Sequence, residues 1–336
     1  KRADLRVVDE EVPQALANWR PSISLSTDVG YSDVLNTNST GTSREQWRNS
    51  QSFGVDVSQS LYRGGRTESA VKVAENNVLA ERANLMDTEQ SIFLEVVSAF
   101  MNVYRDEAVL KLNRNNESVL MRQLEATRDR FQVGEITKTD VNQAEARLAQ
   151  ARADTVKSEG DLKISKANYL NVVGLLAPDN LSEVTELADL PKTKEGALRI
   201  AAIKSPKVMA ADFSRLAAIN TVEETVGELL PELTLSGSWD RAFESAAEQG
   251  RSDTAKISLG ISMPIYQQGT VYSKVRSAKQ QVAQKSFLLD KERRLAVNLA
   301  STSWEKVISA RAQVKSFLAQ IEANTVALEG VQREAS

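Results

Sequence analysis

Two hydrophobic periods take turns along this chain, and each appears twice. In the segment opened by Pro21, Ile23, Leu25, Thr27, Val29 and Tyr31 alternate with Ser22, Ser24, Ser26, Asp28 and Gly30. A period of two with one apolar and one polar face reads as a strand. The polar stretch at about 32–50 reads as a loop. Alternation returns at Phe53, Val55 and Val57 and closes at Leu61-Tyr62-Arg63-Gly64-Gly65. Together these predict a β-hairpin over 21–62. Ahead of it, 1–19 reads as the end of an amphipathic helix, stopped at Trp19-Arg20-Pro21.

The period then changes. Residues 66–131 contain neither proline nor glycine, which at 1.5 Å per residue is about 100 Å of helix. Apolar residues come in adjacent pairs, such as Val78-Leu79, Leu85-Met86, Ile92-Phe93, Val96-Val97 and Val103-Tyr104. Neighbours on a helix lie about 100° apart, so this apolar face is broad enough for a partner on each side. Gly134 breaks the pattern, and 132–138 reads as a tip. Thr137 or Thr139 is placed to cap the following helix, and Asp140 falls in its first turn, where the helix dipole favours an acid. That return helix, 139–173, carries the seam Val141, Ala144, Leu148, Ala151, Thr155, Ser158, Leu162, Ser165 and Tyr169. Steps of three and four make a heptad, and small seam residues allow close approach. The two helices predict an antiparallel coiled hairpin. Residues 174–205 are irregular, with a short helix near 194–204.

The unit then repeats. A helix over 207–230 leads to Pro231, which opens a second hairpin over 231–266, with a polar loop at about 240–254. Ile265-Tyr266-Gln267-Gln268-Gly269 aligns with Leu61 to Gly65, Ala278 with Ala74, and Trp304 with Phe100. A second long helix covers 271–336. The first repeat is therefore 1–205 and the second 206–336. The same offset puts the counterpart of Gly134 two residues beyond Ser336, so a second tip and return helix are expected to follow.

Composition narrows the chemistry. The net charge is −3 with 26% charged residues, which gives no footprint for nucleic acid. Histidine and cysteine are both absent, which removes His- or Cys-based nucleophiles and metal ligands. No catalytic, metal or cofactor set emerges. Carboxylates are plentiful, but nothing in the pattern brings two of them to one pocket. Gly64-Gly65 and Gly269 read as strand-to-helix joints, and Arg128-Asp129-Arg130 as a solvated face. No apolar run reaches the roughly 20 residues of a membrane helix. A membrane β-barrel leaves a far weaker signal and stays open.

Four strands are too few to close a barrel, since about eight are needed. An open sheet leaves edges that aggregate. Three chains pooling strands would make twelve, an even number, and their helices would pool into a tube. The expected class is mixed α/β, mainly α: long antiparallel coiled-coil helices forming an α-barrel, with four strands per chain contributing to a trimeric twelve-stranded β-barrel. The competing readings are a β-sandwich and a periplasmic or cell-surface coiled-coil structural or adaptor protein without a pore.

Arg130-Phe131-x-Val133-Gly134 with Thr139-Asp140-Val141, the Pro-started strands, and Ile261-x-Met263-Pro264-Ile265-Tyr266-x-x-Gly269 leading into a long helix resemble the TolC family. Its members are outer-membrane exit ducts of efflux pumps and type I secretion systems. The resemblance implies a homotrimer in outer-membrane lipid that extends into the periplasm. It implies passive export of drugs or secreted proteins, through a periplasmic adaptor (membrane fusion) protein and an inner-membrane pump of the RND or ABC class. By position, Val133, Gly134 and Glu135 match the adaptor-contacting tip, and Thr139 and Asp140 match the periplasmic gate. Two residues depart from the pattern. Glu135 stands where some members carry a hydrophobic residue, and Ala335 where some carry a tyrosine.

Overall fold

A computed structural model describes residues 1–37, 41, 43–178, 190–244 and 250–334. Ala335 and much of the irregular region after 174 lie outside the described residues. The elements run α1 (Arg2–Asp9), α2 (Glu11–Ala17), β1 (Ser22–Thr37), β2 (Ser43–Arg63), α3 (Arg66–Gln132), α4 (Lys138–Val173), α5 (Lys194–Lys204), α6 (Pro206–Val226), β3 (Glu232–Phe243), β4 (Arg251–Ser262) and α7 (Thr270–Glu334). The chain divides into two compact units, one of residues 1–85 and 191–336, the other of residues 86–190.

In the first unit the four strands form one antiparallel sheet in the order β1-β2-β3-β4, which leaves β1 and β4 as edges. Both hairpins are longer than their side-chain alternation suggests. β1 continues to Thr37 and β2 starts at Ser43, with Tyr31 opposite Asn49 and Asp33 opposite Trp47. β3 and β4 meet at Phe243 and Arg251. The polar stretches at 32–50 and 240–254 are therefore mostly strand. Backbone pairing needs no apolar side chain once a hairpin is in register. At the other end β4 stops at Ser262, although alternation runs on to Ile265, because Pro264 has no N–H for the ladder. The first helix also differs from expectation. It is interrupted at Glu10, since Pro13 cannot donate to the Asp9 carbonyl and instead sits in the first turn of α2.

Register sorts the sheet into two faces. One carries Ile23, Leu25, Val29 and Tyr31 from β1, Phe53, Val55 and Val57 from β2, and Ile257, Leu259 and Ile261 from β4. The other carries Ser24, Ser26, Asp28, Ser52, Gly54, Asp56, Ser236, Ser238, Asp240, Lys256 and Ser258. Among the described residues no core covers the apolar face: Ile23 is 72% exposed, Val29 76%, Ile257 85% and Ile261 75%. A sheet in water buries such a face. This one presents it outward.

The internal repeat is visible at the joints. Gly64 and Gly65 are left-handed, at φ 62° and 76°, and α3 starts at the next residue. Gln268 and Gly269 are left-handed too, at φ 53° and 77°, followed at once by α7. One turn on, Thr67 and Val271 are both buried, as are Ala74 and Ala278. The first joint is tight, because a Cβ on Gly64 would stand 2.5 Å from the Gly227 carbonyl oxygen. It is also ionic: Arg66 Nη2 donates to Glu232 at 2.7 Å, and Arg63 lies 3.4 Å from the same carboxylate. α5 and α6 both pack on α7, and Lys194 reaches Glu305 at 2.8 Å. From 305 to 333 every residue of α7 is exposed, including Val314, Phe317, Leu318 and Ile321.

In the second unit, α3 from residue 86 onward and α4 form the expected antiparallel hairpin. Val103, Leu110 and Leu124 are buried on one helix, and Leu148 and Ala151 on the other. The seam also contains two polar rungs one heptad apart. Ser165 Oγ donates to Asp106 Oδ2, and Asn113 Nδ2 donates to Ser158 Oγ at 2.6 Å. Asp106, Ser158 and Ser165 are all buried. Ion pairs flank this seam: Glu107 with Lys166, Arg114 with Glu159, Glu117 with Arg152, and Arg128 with Glu145.

Candidate functional site: the hairpin tip

The tip is built by one helix end, one left-handed glycine and one capping box. α3 finishes in a Schellman motif. The Gly134 N–H donates to the Phe131 carbonyl at 3.0 Å, and the Glu135 N–H donates to the Arg130 carbonyl at 3.0 Å. Gly134 has φ +82°, which a side chain with a Cβ adopts only at a cost. No atom lies within 4 Å of where its Cβ would stand, so conformation rather than space selects glycine here. Arg130 Nε also donates to Glu135 Oε2 at 2.9 Å.

α4 starts from Thr137, which settles the choice of cap. The Asp140 N–H donates to Thr137 Oγ1 at 3.4 Å, and the Thr137 N–H donates to Asp140 Oδ2 at 2.9 Å. That reciprocal pair is a capping box, with Asp in the position more often held by Glu. Thr137 Oγ1 donates to the same carboxylate oxygen at 2.8 Å. The backbone hydrogen bond from Thr137, and then its hydroxyl, hold the Asp140 carboxyl below the usual aspartate range, so it is an anion at neutral pH. Thr139 lies one residue inside the helix and is exposed.

Of the five tip and gate residues, Val133, Gly134 and Glu135 share one exposed turn, and Val133 is 75% exposed. Thr139 and Asp140 are in the next turn. Asp140 is engaged by its own helix start, and Thr139 carries none of the capping bonds. Only Ile136 of the tip is partly covered. The turn thus presents an apolar side chain, a bare backbone and a carboxylate to whatever meets it.

Sequence reasoning missed the buried polar rungs of the hairpin. Burial pushes the Asp106 carboxyl up, but hydrogen bonds from Arg105 and Ser165 outweigh it and leave the group below the ordinary range. The available signal was a polar pair seven residues apart, Asp106 and Asn113, inside an otherwise apolar helix face.

Among the described residues, no helix is long and apolar enough to cross a membrane. The family model described as "Outer membrane efflux protein" matches residues 1–175 and 197–335. Outer membrane efflux protein BepC of Brucella suis biovar 1 is 32% identical over 334 residues, covering 99% of this chain and 71% of the relative. Outer membrane protein TolC of Escherichia coli is 23% identical over 333 residues, covering 94% of this chain and 66% of the relative. The solved structure of the outer membrane protein VceC from Vibrio cholerae superposes with a TM-score of 0.73 at 18% identity, covering 92% of this chain and 75% of that one.

Proposed function

Because the chain belongs to the outer membrane efflux protein family, we propose that it forms a threefold exit duct of the outer membrane for drugs or secreted proteins. Three sheets join edge to edge, β4 of one chain beside β1 of the next, and close a twelve-stranded barrel. The apolar face meets lipid, and the serine- and aspartate-rich face lines the lumen. The long helices extend into the periplasm.

The observation that carries this reading is the sheet. It has two unpaired edges, an uncovered apolar face and a polar face of small residues. Closure satisfies the edges, and lipid satisfies the face. A coiled-coil rod or adaptor without a pore leaves both unexplained.

In this duct Val133, Gly134 and Glu135 meet the hairpin tips of a periplasmic adaptor, and the adaptor links the duct to an inner-membrane pump of the RND or ABC class. Thr139 and Asp140 lie at the periplasmic gate. Three Asp140 carboxylates near one axis create a negative potential that favours cations. Export is passive, and the pump supplies the energy. The repeat boundaries at 1–205 and 206–336 are part of the same reading: each repeat contributes one hairpin to the barrel and one long helix to the tube.

The test is electron microscopy of the full-length protein in detergent, with planar-bilayer conductance alongside. A threefold particle with a small closed conductance supports the duct. A monomer or dimer without conductance overturns it.

A further inference from the structure

On the lipid-directed face, β3 and β4 carry only apolar residues and Gly237 until their end remote from the helices, where their character changes. Arg241 on β3 sits directly opposite Asp253 on β4, and Arg251 is on the same face two residues away. Arg241 Nε donates to Asp253 Oδ1 at 2.7 Å, and Arg251 Nη2 donates to Asp253 Oδ2. One carboxylate thus serves two guanidinium groups, and the cluster keeps a net positive charge. Trp239 lies under Arg241, with the guanidinium carbon 5.2 Å from the ring centroid, and Phe53 meets Trp239 edge-on at 5.9 Å. A structural ion pair needs one cation; this site holds two around one anion, on two strands whose other residues on this face are apolar or glycine.

Depth gives the cluster its meaning. Eight residues separate Ile261, beside the helix end, from Asp253. At about 3.4 Å per residue and a tilt of about 40°, that is about 20 Å along the membrane normal. The outward apolar band of such barrels is about 25 Å tall and is bordered by aromatic girdles. Arg241, Arg251 and Asp253 therefore fall at its outer margin, level with the headgroups of the outer leaflet. Guanidinium groups there match phosphate in charge and in donor geometry.

We infer that Arg241 and Arg251, set on Trp239, form a binding site on the barrel exterior for the phosphorylated headgroup of an outer-leaflet lipid. Asp253 orients both arginines and competes with the phosphate for them. The inference rests on the outer-membrane reading above. On that reading the site lies on the strand that borders the next subunit, so a bound lipid also shields the seam between chains.

The test uses the full-length protein in nanodiscs and native mass spectrometry. The two probes are bisphosphorylated lipid A and the same glycolipid with both phosphates removed. The wild type retains the phosphorylated lipid preferentially, and each arginine contributes about fivefold. Arg241→Gln with Arg251→Gln lowers retention to that of the dephosphorylated lipid. Asp253→Asn raises it, which a purely structural ion triad does not do. Lys256→Gln, on the opposite face, changes nothing. Equal retention of the two lipids by the wild type, or no loss in the double variant, overturns the inference. So does displacement of the lipid by inorganic phosphate, which marks a site for a soluble anion. Conductance of the same preparations separates the two readings. A protein without a pore fails the duct, whereas a conducting pore indifferent to headgroup phosphate fails only this site.

Discussion

Arg130 and Glu135 are joined twice across the hairpin tip, once by a backbone hydrogen bond of 3.0 Å and once by an ion pair of 2.9 Å. They occupy the two positions of the Schellman motif that usually make a hydrophobic contact. Here charge replaces that contact. The Glu135 side chain closes on Arg130 and leaves Val133 outward.

Gly134→Ala forces a Cβ into a left-handed turn and costs about 1 kcal/mol locally. Hydrogen exchange at the amides of 134 and 135 is expected to quicken several-fold. Glu135→Leu combined with Arg130→Leu restores the apolar form of the motif and leaves those amides as slow as in the wild type. If adaptor capture nonetheless falls in the double variant, Glu135 is a contact residue as well as a turn residue.

Asp140→Ala removes the capping box. Fraying of residues 138–141 by hydrogen exchange is the expected structural outcome, and increased closed-state conductance the expected functional one. Unchanged conductance removes Asp140 from the gate. The pH dependence has a definite sign. The Asp140 carboxyl is held below its usual range, so the cap is fully formed above that range and is lost only as pH falls through the depressed value. Lowering pH from 7 to 5 leaves the protection of the tip amides unchanged once their intrinsic, base-catalysed exchange rates are divided out.

The polar rungs of the hairpin act on register more than on stability. Asp106→Leu with Ser165→Ala gives a hairpin of equal or greater stability, because a well-packed apolar pair replaces a buried charge. Cysteines introduced at 113 and 158 are expected to cross-link in register on the otherwise wild-type chain. In that double variant they are expected to yield additional off-register products with cysteines one turn away. Ser165→Ala alone withdraws a hydrogen bond from a buried carboxylate and destabilises, by about 1–3 kcal/mol.

Ile257→Arg sets a charge on the lipid face in mid-strand and costs about 2–4 kcal/mol. The yield of heat-resistant oligomer on electrophoresis is expected to fall sharply. Ser258→Arg, its neighbour on the other face, leaves the oligomer intact and changes ion selectivity instead.

The repeat permits exchanges between its copies. Thr67 is buried with its hydroxyl unpartnered among the described residues, whereas its counterpart is Val271. Thr67→Val therefore stabilises by about 1 kcal/mol. Gln268 holds the left-handed position that Gly64 fills in the first copy, so Gln268→Gly stabilises by a similar amount. Thermal melts of the detergent-solubilised protein test both.

The helices were legible almost to the residue where their stops are chemical. Gly134 marks the first stop, Thr137 is one of the two caps the sequence offers, and the short helix expected near 194–204 is Lys194–Lys204. Strand ends were not legible, because pairing extended β1, β2, β3 and β4 through polar residues that carry no alternation. The turn itself was legible from Gly134. The ion pair that closes the tip was not, since Arg130 and Glu135 are five apart and meet only after the chain has turned. The buried Asp106 rung left only the spacing of Asp106 and Asn113 as a trace, because its partner Ser165 lies 59 residues away.

The open sheet has a kinetic corollary. On the threefold reading, one chain has two raw edges, and two joined chains still have two. Joining the second chain closes one seam and two of the four edges, whereas the third closes two seams at once and leaves no edge. Dimers do not accumulate, and the folded subunit has no stability apart from its own concentration. Assembly then follows a steep order in subunit: with a dimer in rapid balance, doubling the supply of unassembled chain speeds closure about eightfold. A cell that makes this protein slowly risks losing it to strand-edge aggregation before the ring shuts.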